Sequence, residues 1–280
     1  MNLSQKPSLR GFLKYLRLRF QAIFKGESID DKLRLVLWSV LDSIPNIVKK
    51  KLPFVARIDV FKHLLLKKVM IVWCGCRFKC IDSESLLVLS PSYEQDVLKN
   101  IRLNHKCVFL DVGAHIGRYT ILVAKRAKDG LVIAVEPNPE NYRILRKNVE
   151  LNELNNVVAL NVAAWNKDCE LKMYVGTTGS SHSLIKNYGL GSFIVKARVL
   201  DDILLYELKV KKLNCVKIDV EGAELKVLEG LRRTLRHHRP VLIIESWNLE
   251  ALKNLLNELG YTITFEGARG MLICKPKCAS

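Results

Sequence analysis

The chain has 280 residues, 49% of them hydrophobic and 26% charged, a composition that supports a sizeable folded core and excludes an intrinsically disordered polymer. No apolar run approaches the roughly 20 residues needed to cross a bilayer. The basic amino terminus shows neither a compact apolar stretch nor a small-residue cleavage site, so a cytoplasmic protein is expected, at most peripheral to a membrane.

The formal net charge is +17, and in residues 1–68 fifteen Lys/Arg face five Asp/Glu, so over half of the excess lies in the first quarter. An acidic partner therefore enters consideration, whether nucleic acid, anionic lipid or a phosphorylated substrate. Leu9, Phe12, Leu13, Leu16, Phe20, Ile23 and Phe24 recur at helical spacing, with Arg10, Lys14, Arg17 and Lys25 mostly on other faces, which predicts a basic amphipathic helix. Ile29, Leu33, Val36, Leu37, Val40 and Leu41 repeat the pattern, and Lys49, Lys50 and Lys51 close the segment before Pro53. Two readings stay open for residues 1–68: a helical cap on a catalytic domain, or attachment to an anionic membrane surface.

Residues 69–280 read as the catalytic domain, with 69–106 as its lead-in. Two apolar runs in 69–89 predict a hairpin, and residues 93–98 a helix. Within the hairpin Cys74, Cys76, Phe78 and Cys80 alternate with Gly75, Arg77 and Lys79, as one buried sheet face requires. The spacing is not that of a zinc site, no second ligand pair follows, and no metal is expected. Scattered free thiols fit a reducing compartment.

Beyond residue 106 short apolar strands alternate with helices. Strands are predicted at 107–111, 131–136 and 157–162, with helices after the first two; Asn138 and Pro139 supply the cap and first-turn proline of the second helix. An insertion follows, with strands at 170–175 and 193–199 and a loop carrying Gly176, Gly179, Gly189 and Gly191. The alternation resumes with a strand at 214–219, a helix at 223–235, a strand at 241–245 and a helix at 249–259 ended by Gly260. Strands at 261–265 and 271–274 finish the chain as a hairpin. This order predicts a mostly parallel sheet covered by helices on both faces, with an antiparallel last strand.

In such a sheet ligands bind beyond the carboxyl ends of the strands, where the topology reverses. Asp111, Glu136, Asp219 and Glu245 each end a predicted strand, so four carboxylates are expected along one rim. Gly113 and Gly117 let the backbone turn closely between strand and helix, with the helix-start amides available to a carboxylate. Glu136 stands where an acid receives two ribose hydroxyls. NAD is the rival ligand, but the turn is Gly-x-x-x-Gly rather than GxGxxG, and Asp111 would face a cationic group better than a pyrophosphate.

The runs Phe109–Thr120, Val135–Asn141, Asn161–Ala164 and Lys217–Glu224 resemble, in order and spacing, the motifs of FkbM-type methyltransferases across residues 107–245. That resemblance implies a Rossmann-like class I methyltransferase fold with a seven-stranded sheet. It also implies S-adenosylmethionine as cofactor and transfer of its methyl group to a hydroxyl oxygen, often on a sugar or a glycosylated product. Carried over by position, Asp111, Gly113, Ala114 and Gly117 correspond to the loop around the methionine part, Glu136 to the ribose ligand, and Asn161 and Ala163 to the adenine wall. Asp219, Glu221 and Glu224 occupy the motif that faces the transferred methyl.

A sugar hydroxyl needs its proton accepted before it attacks. His182 on the insertion loop, Asp219 and Glu221 are the candidate bases, and a solvated loop histidine is the bland alternative for His182. The two acids could instead bind a sugar or hold a divalent cation. Glu224 either contacts substrate or favours the N-terminus of the following helix, and Glu245 either contacts substrate or ends its strand. A carbohydrate-like acceptor is expected. RNA methylation is the alternative enzyme, disfavoured by carboxylates that repel phosphates, and a cofactor-binding relic is the non-enzymatic one.

Overall fold

The computed structural model describes residues 20–43, 56–90, 104–176, 181–246, 248–267 and 270–277. Two compact units divide the chain, residues 1–93 and residues 94–280. Among the described residues no helix is long and apolar enough to cross a membrane.

In the first unit, helix α1 (Ile29–Asp42) opens with a capping box: Asp31 N–H donates to Ser28 Oγ at 3.0 Å, and Ser28 N–H donates to the Asp31 carboxylate at 3.0 Å. The other oxygen of Asp31 accepts the Met70 N–H at 3.1 Å, which ties α1 to a hairpin of β1 (Met70–Trp73) and β2 (Cys76–Lys79). Helix α2 (Ala56–Leu66) belongs to the same unit. The boundary placed at residue 68 from composition therefore moves to 93, because the hairpin packs with the helices before it. Anchoring through Asp31 also decides which face of α1 is buried. Asp31, Leu35 and Trp38 turn inward, whereas Ile29, Leu33, Val36, Leu37 and Val40, the expected core stripe, are exposed.

The second apolar run of residues 69–89 is a helix, α3 (Ser83–Val88), and not a strand. Asp82 accepts the Ser85 N–H at 2.8 Å and caps it, a start signal that outweighs the apolar run. Cys76, Phe78 and Cys80 are buried as expected. Cys74 instead sits exposed in the turn at φ 51°. No cluster that could hold a metal exists among the described residues. The expected basic helix at 9–24 falls mostly, and the helix at 93–98 wholly, outside the described residues.

The second unit alternates strand and helix. Its elements begin with β3 (Val108–Val112), α4 (Arg118–Arg126), β4 (Leu131–Val135), α5 (Pro139–Leu151), β5 (Val157–Leu160), β6 (Ala163–Trp165), β7 (Cys169–Tyr174) and β8 (Ser192–Val199). They continue with α6 (Leu200–Asp202), widening into a π turn at Ile203–Glu207, then β9 (Cys215–Ile218), α7 (Glu224–Gly230), α8 (Arg232–His238), β10 (Val241–Glu245), α9 (Leu249–Glu258), β11 (Tyr261–Glu266) and β12 (Met271–Pro276).

Seven strands form one sheet in the order β11-β12-β10-β9-β3-β4-β5, and β12 runs antiparallel to both of its neighbours. Leu110, Val112, Ile133, Val216 and Ile218 pack on one face against Val227, Leu228 and Leu235, while Phe109, Val132, Cys215 and Ile243 pack on the other against Tyr119 and Val123. Both faces are covered, which is why these strands read as unbroken apolar runs. From β3 the chain builds outward through β4 to β5, then returns to β9 on the other side of β3. That reversal opens a crevice at the carboxyl ends of β3 and β9.

The insertion forms its own three-stranded sheet, β6-β8-β7. The run read as one strand at 157–162 stops at Leu160 and restarts as β6. The single helix expected at 223–235 is divided at Leu231, where a Cβ on Gly230 would strike the Trp165 carbonyl. Asp201, buried in α6, caps the second piece by accepting the Arg233 N–H at 2.9 Å and the Thr234 N–H at 2.8 Å. Asp201→Ala is expected to lower unfolding stability by about 1–3 kcal/mol, since two helix-start donors lose their acceptor. Urea unfolding reads this; an unchanged midpoint would show the cap to be idle.

Candidate cofactor crevice

The loop from β3 to α4 is fastened on three sides. Gly113 and Ala114 N–H donate to the Val135 carbonyl at 2.9 and 3.0 Å, and Asn148 on α5 donates its side-chain amide to the Ile116 carbonyl at 2.8 Å. Gly113 has φ 80°, and a Cβ there would run into the Asp219 carbonyl. The first glycine thus lets the ends of β3 and β9 touch, which no other residue permits. His115 is held at φ 52°, a left-handed conformation that few side chains adopt, and its N–H donates to Glu136 Oε2 at 2.8 Å.

Glu136 follows β4 and is buried. Besides the His115 N–H it accepts the Asn138 N–H at 3.0 Å on Oε1, with the Asn141 side-chain amide at 3.4 Å. Burial pushes its carboxyl up to about 7, against the lowering effect of the Asn138 and His115 N–H groups and the Asn141 amide. Asn161 does not face the crevice as an open wall: its amide donates to the Glu136 and Pro137 carbonyls at 2.8 and 3.1 Å and fixes the chain that carries Glu136. Ala163, the other residue expected at the adenine wall, is buried with Met173, Val195 and Ala197.

Asp111, 1% exposed, accepts the Thr120 hydroxyl at 2.6 Å on Oδ2; its Oδ1 has no hydrogen-bond partner among the described residues. Burial raises its pKa, and Lys217 and Thr120 oppose the rise. Lys217 is opposite Asp111 in the β3/β9 register, and its Nζ donates to Asp219 Oδ2 at 2.9 Å. Nothing in the sequence reading gave Lys217 a role. The signal was a lysine inside an otherwise apolar strand, a position that lysine occupies only when paired.

Past β9 the chain turns sharply, with Glu221 at φ 51° and Gly222 at φ 104°. Glu224 is buried, its pKa raised by that burial, and its Oε1 accepts the Gly222 N–H at 2.8 Å. It shapes the turn at the start of α7. The insertion reaches the same turn: Ser183 Oγ donates to the Glu221 carbonyl at 2.8 Å and accepts the Ile185 and Lys186 N–H groups. Burial and the charge of Glu221 raise the pKa of Tyr188. Ser183 and Tyr188 escaped the sequence reading because their partners are far along the chain.

His182 is placed differently from a base. Gly176 N–H donates to its Nδ1 at 2.9 Å, so the neutral ring carries its proton on Nε2 and offers a donor there. Glu245 ends β10 in register with Met271 of β12, along the same rim as Asp219. The structure therefore brings Asp111, Gly113, Ala114, Gly117, Glu136, Asp219 and Glu221 to the switch point.

Sheet order and rim together define a Rossmann-like class I methyltransferase fold. The methyltransferase FkbM domain model matches residues 111–263, more than half of the sequence, and the chain belongs to this family. It is 39% identical over 98 residues to a tRNA(Phe) (4-demethylwyosine(37)-C(7)) aminocarboxypropyltransferase of Methanocaldococcus jannaschii, covering 35% of this chain and 38% of that one. It is 29% identical over 154 residues to the hexuronic acid methyltransferase AglP of Haloferax volcanii, covering 54% and 61%. Among solved structures, an FkbM methyltransferase of Methylobacillus flagellatus aligns over 95% of this chain and 60% of its own, with 15% identity and a TM-score of 0.47. The matched region thus spans less than two thirds of these relatives' own length.

Proposed function

We propose that this chain transfers the methyl group of S-adenosylmethionine to a hydroxyl oxygen of a carbohydrate-like acceptor. The observation that carries the reading is the buried pair of carboxylates, Asp111 and Glu136, on either side of a glycine loop with no room for a Cβ. Asp111 Oδ1 lacks a donor among the described residues, which suits an ammonium or sulfonium neighbour, and Glu136 suits a ribose diol. These residues fit the cofactor. When bound it supplies an electrophilic methyl on a cationic sulfur.

The protein's part is to align an acceptor oxygen and take its proton. Asp219 is placed for that: its carbonyl abuts Gly113 and its Oδ2 is fixed by Lys217, so the carboxylate stands beside the loop assigned to the methionine end. Glu221 and the Nε2–H of His182 bind acceptor hydroxyls from the insertion side. The hexuronic acid specificity in the name of the Haloferax relative supports a sugar acceptor.

Asp219→Asn is expected to lower kcat by about 10²- to 10⁴-fold with cofactor affinity within a few fold. Steady-state kinetics with an unmethylated sugar acceptor decides it, and an unchanged kcat assigns the proton to another group. A nucleic-acid reading draws on the archaeal relative, named as a tRNA(Phe) aminocarboxypropyltransferase. Mass spectrometry of the by-product tests the group transferred: S-adenosylhomocysteine supports methyl transfer, 5′-methylthioadenosine refutes it, and methyl incorporation into RNA but not into a sugar overturns the carbohydrate reading.

A further inference from the structure

We propose that Lys217 is a positioning residue whose buried ammonium, set between Asp111 and Asp219, keeps Asp111 charged and Asp219 fixed at the switch point. Its side chain is 3% exposed, and a lysine this deep persists as a cation only with partners. The partners surround it. Asp219, just past the end of β9, accepts a hydrogen bond from it at 2.9 Å, and Asp111 on β3 is its register neighbour. The Tyr119 ring on α4 lies 4.9 Å from Nζ. Arg118 Cζ lies 5.3 Å from the centroid of the same ring, while Thr120 bonds Asp111. Cys215 precedes it on the same sheet face, and Glu245 ends the neighbouring strand.

The charge balance follows from this set. Without Lys217 the buried Asp111 would lose the positive charge that opposes its desolvation, and would take up a proton. A neutral Asp111 would no longer attract a cationic ligand. With Lys217 present the trio keeps one net negative charge facing the glycine loop. In its functional arm the inference rests on the cofactor reading above; in its structural arm it does not.

The structural arm needs no ligand. If Lys217→Met leaves Asp111 protonated when folded, the native state binds a proton that the unfolded chain, with an ordinary carboxylate, has released. Stability then falls as pH rises through that interval. The loss of urea midpoint caused by Lys217→Met is therefore expected to be about twofold or more larger at pH 8 than at pH 5. Adding Asp111→Asn is expected to remove that growth, and to restore folding should Lys217→Met alone fail to fold. A pH-independent loss, or a double variant no better than the single one, overturns the proposal.

In the functional arm S-adenosylmethionine affinity of Lys217→Met is expected to drop about tenfold or more at pH 7 and recover toward pH 9, with Lys217→Arg intermediate. Equal affinity at every pH also overturns it. Wild-type protein that fails to bind the cofactor refutes the cofactor reading instead, and the unfolding comparison still decides the role of Lys217.

Discussion

Gly113→Ala is expected to be the most damaging single methyl group that can be added to this chain. The residue stands at φ 80°, where an L side chain is strained by about 1–2 kcal/mol. Its added Cβ would also occupy the position of the Asp219 carbonyl oxygen. That obstacle is backbone, held by an Asp219 N–H donating to the Val112 carbonyl at 3.0 Å, and a flexible side chain cannot step aside for it. Relief requires β3 and β9 to part at the switch point, breaking the packing on which every site residue depends. A stability loss of about 3 kcal/mol or more is expected, with cofactor binding abolished even in any fraction that folds. Thermal unfolding and ligand titration of the variant check both parts. A variant with wild-type melting would mean that the two strand ends are not in contact.

The second large effect is expected at Glu136. Truncation by Glu136→Ala leaves the His115 and Asn138 N–H groups without their acceptor, at about 1–3 kcal/mol each, and releases the left-handed turn at His115. Cofactor affinity is expected to fall by more than about a hundredfold, because the loop geometry and the ribose contact are lost together. The isosteric Glu136→Gln separates these roles. Its remaining oxygen keeps part of the loop, so stability changes little, while the charge disappears.

Charge at this position gives a pH signature. In the wild-type protein Glu136 takes up a proton as pH falls through about 7, whereas two ribose hydroxyls donate only to the ionised form. Binding at pH 6 is therefore expected to release a proton and to be about tenfold weaker than at pH 8, and Glu136→Gln to be insensitive over that range. Calorimetry in buffers of different ionisation heat measures the proton directly. A pH-independent affinity would show that the carboxylate already stays ionised without ligand.

Much of this site was legible before the fold was known. Short apolar runs closed by an acid gave the strands that carry Asp111, Glu136, Asp219 and Glu245, since strands buried on both faces must be apolar and their ends must not be. The glycine spacing gave the tight turn. What stayed illegible depended on partners distant in the chain. Which side of α1 is buried was settled by Asp31 reaching Met70, and the break at Leu231 by Trp165 pressing on Gly230. The tautomer of His182 was set by Gly176, a bond that no periodicity reveals. Lys217 was visible but mute, because a single lysine in an apolar strand indicates a buried partner without naming it.

The central claim is that the crevice at the carboxyl ends of β3, β4 and β9 holds S-adenosylmethionine. Isothermal titration with S-adenosylmethionine, S-adenosylhomocysteine and NAD, with Glu136→Gln as the control, tests it most directly. Micromolar binding of the first two, weakened in the control and absent for NAD, is the predicted result. Binding of NAD alone, or equal binding of S-adenosylmethionine by the control, would contradict it.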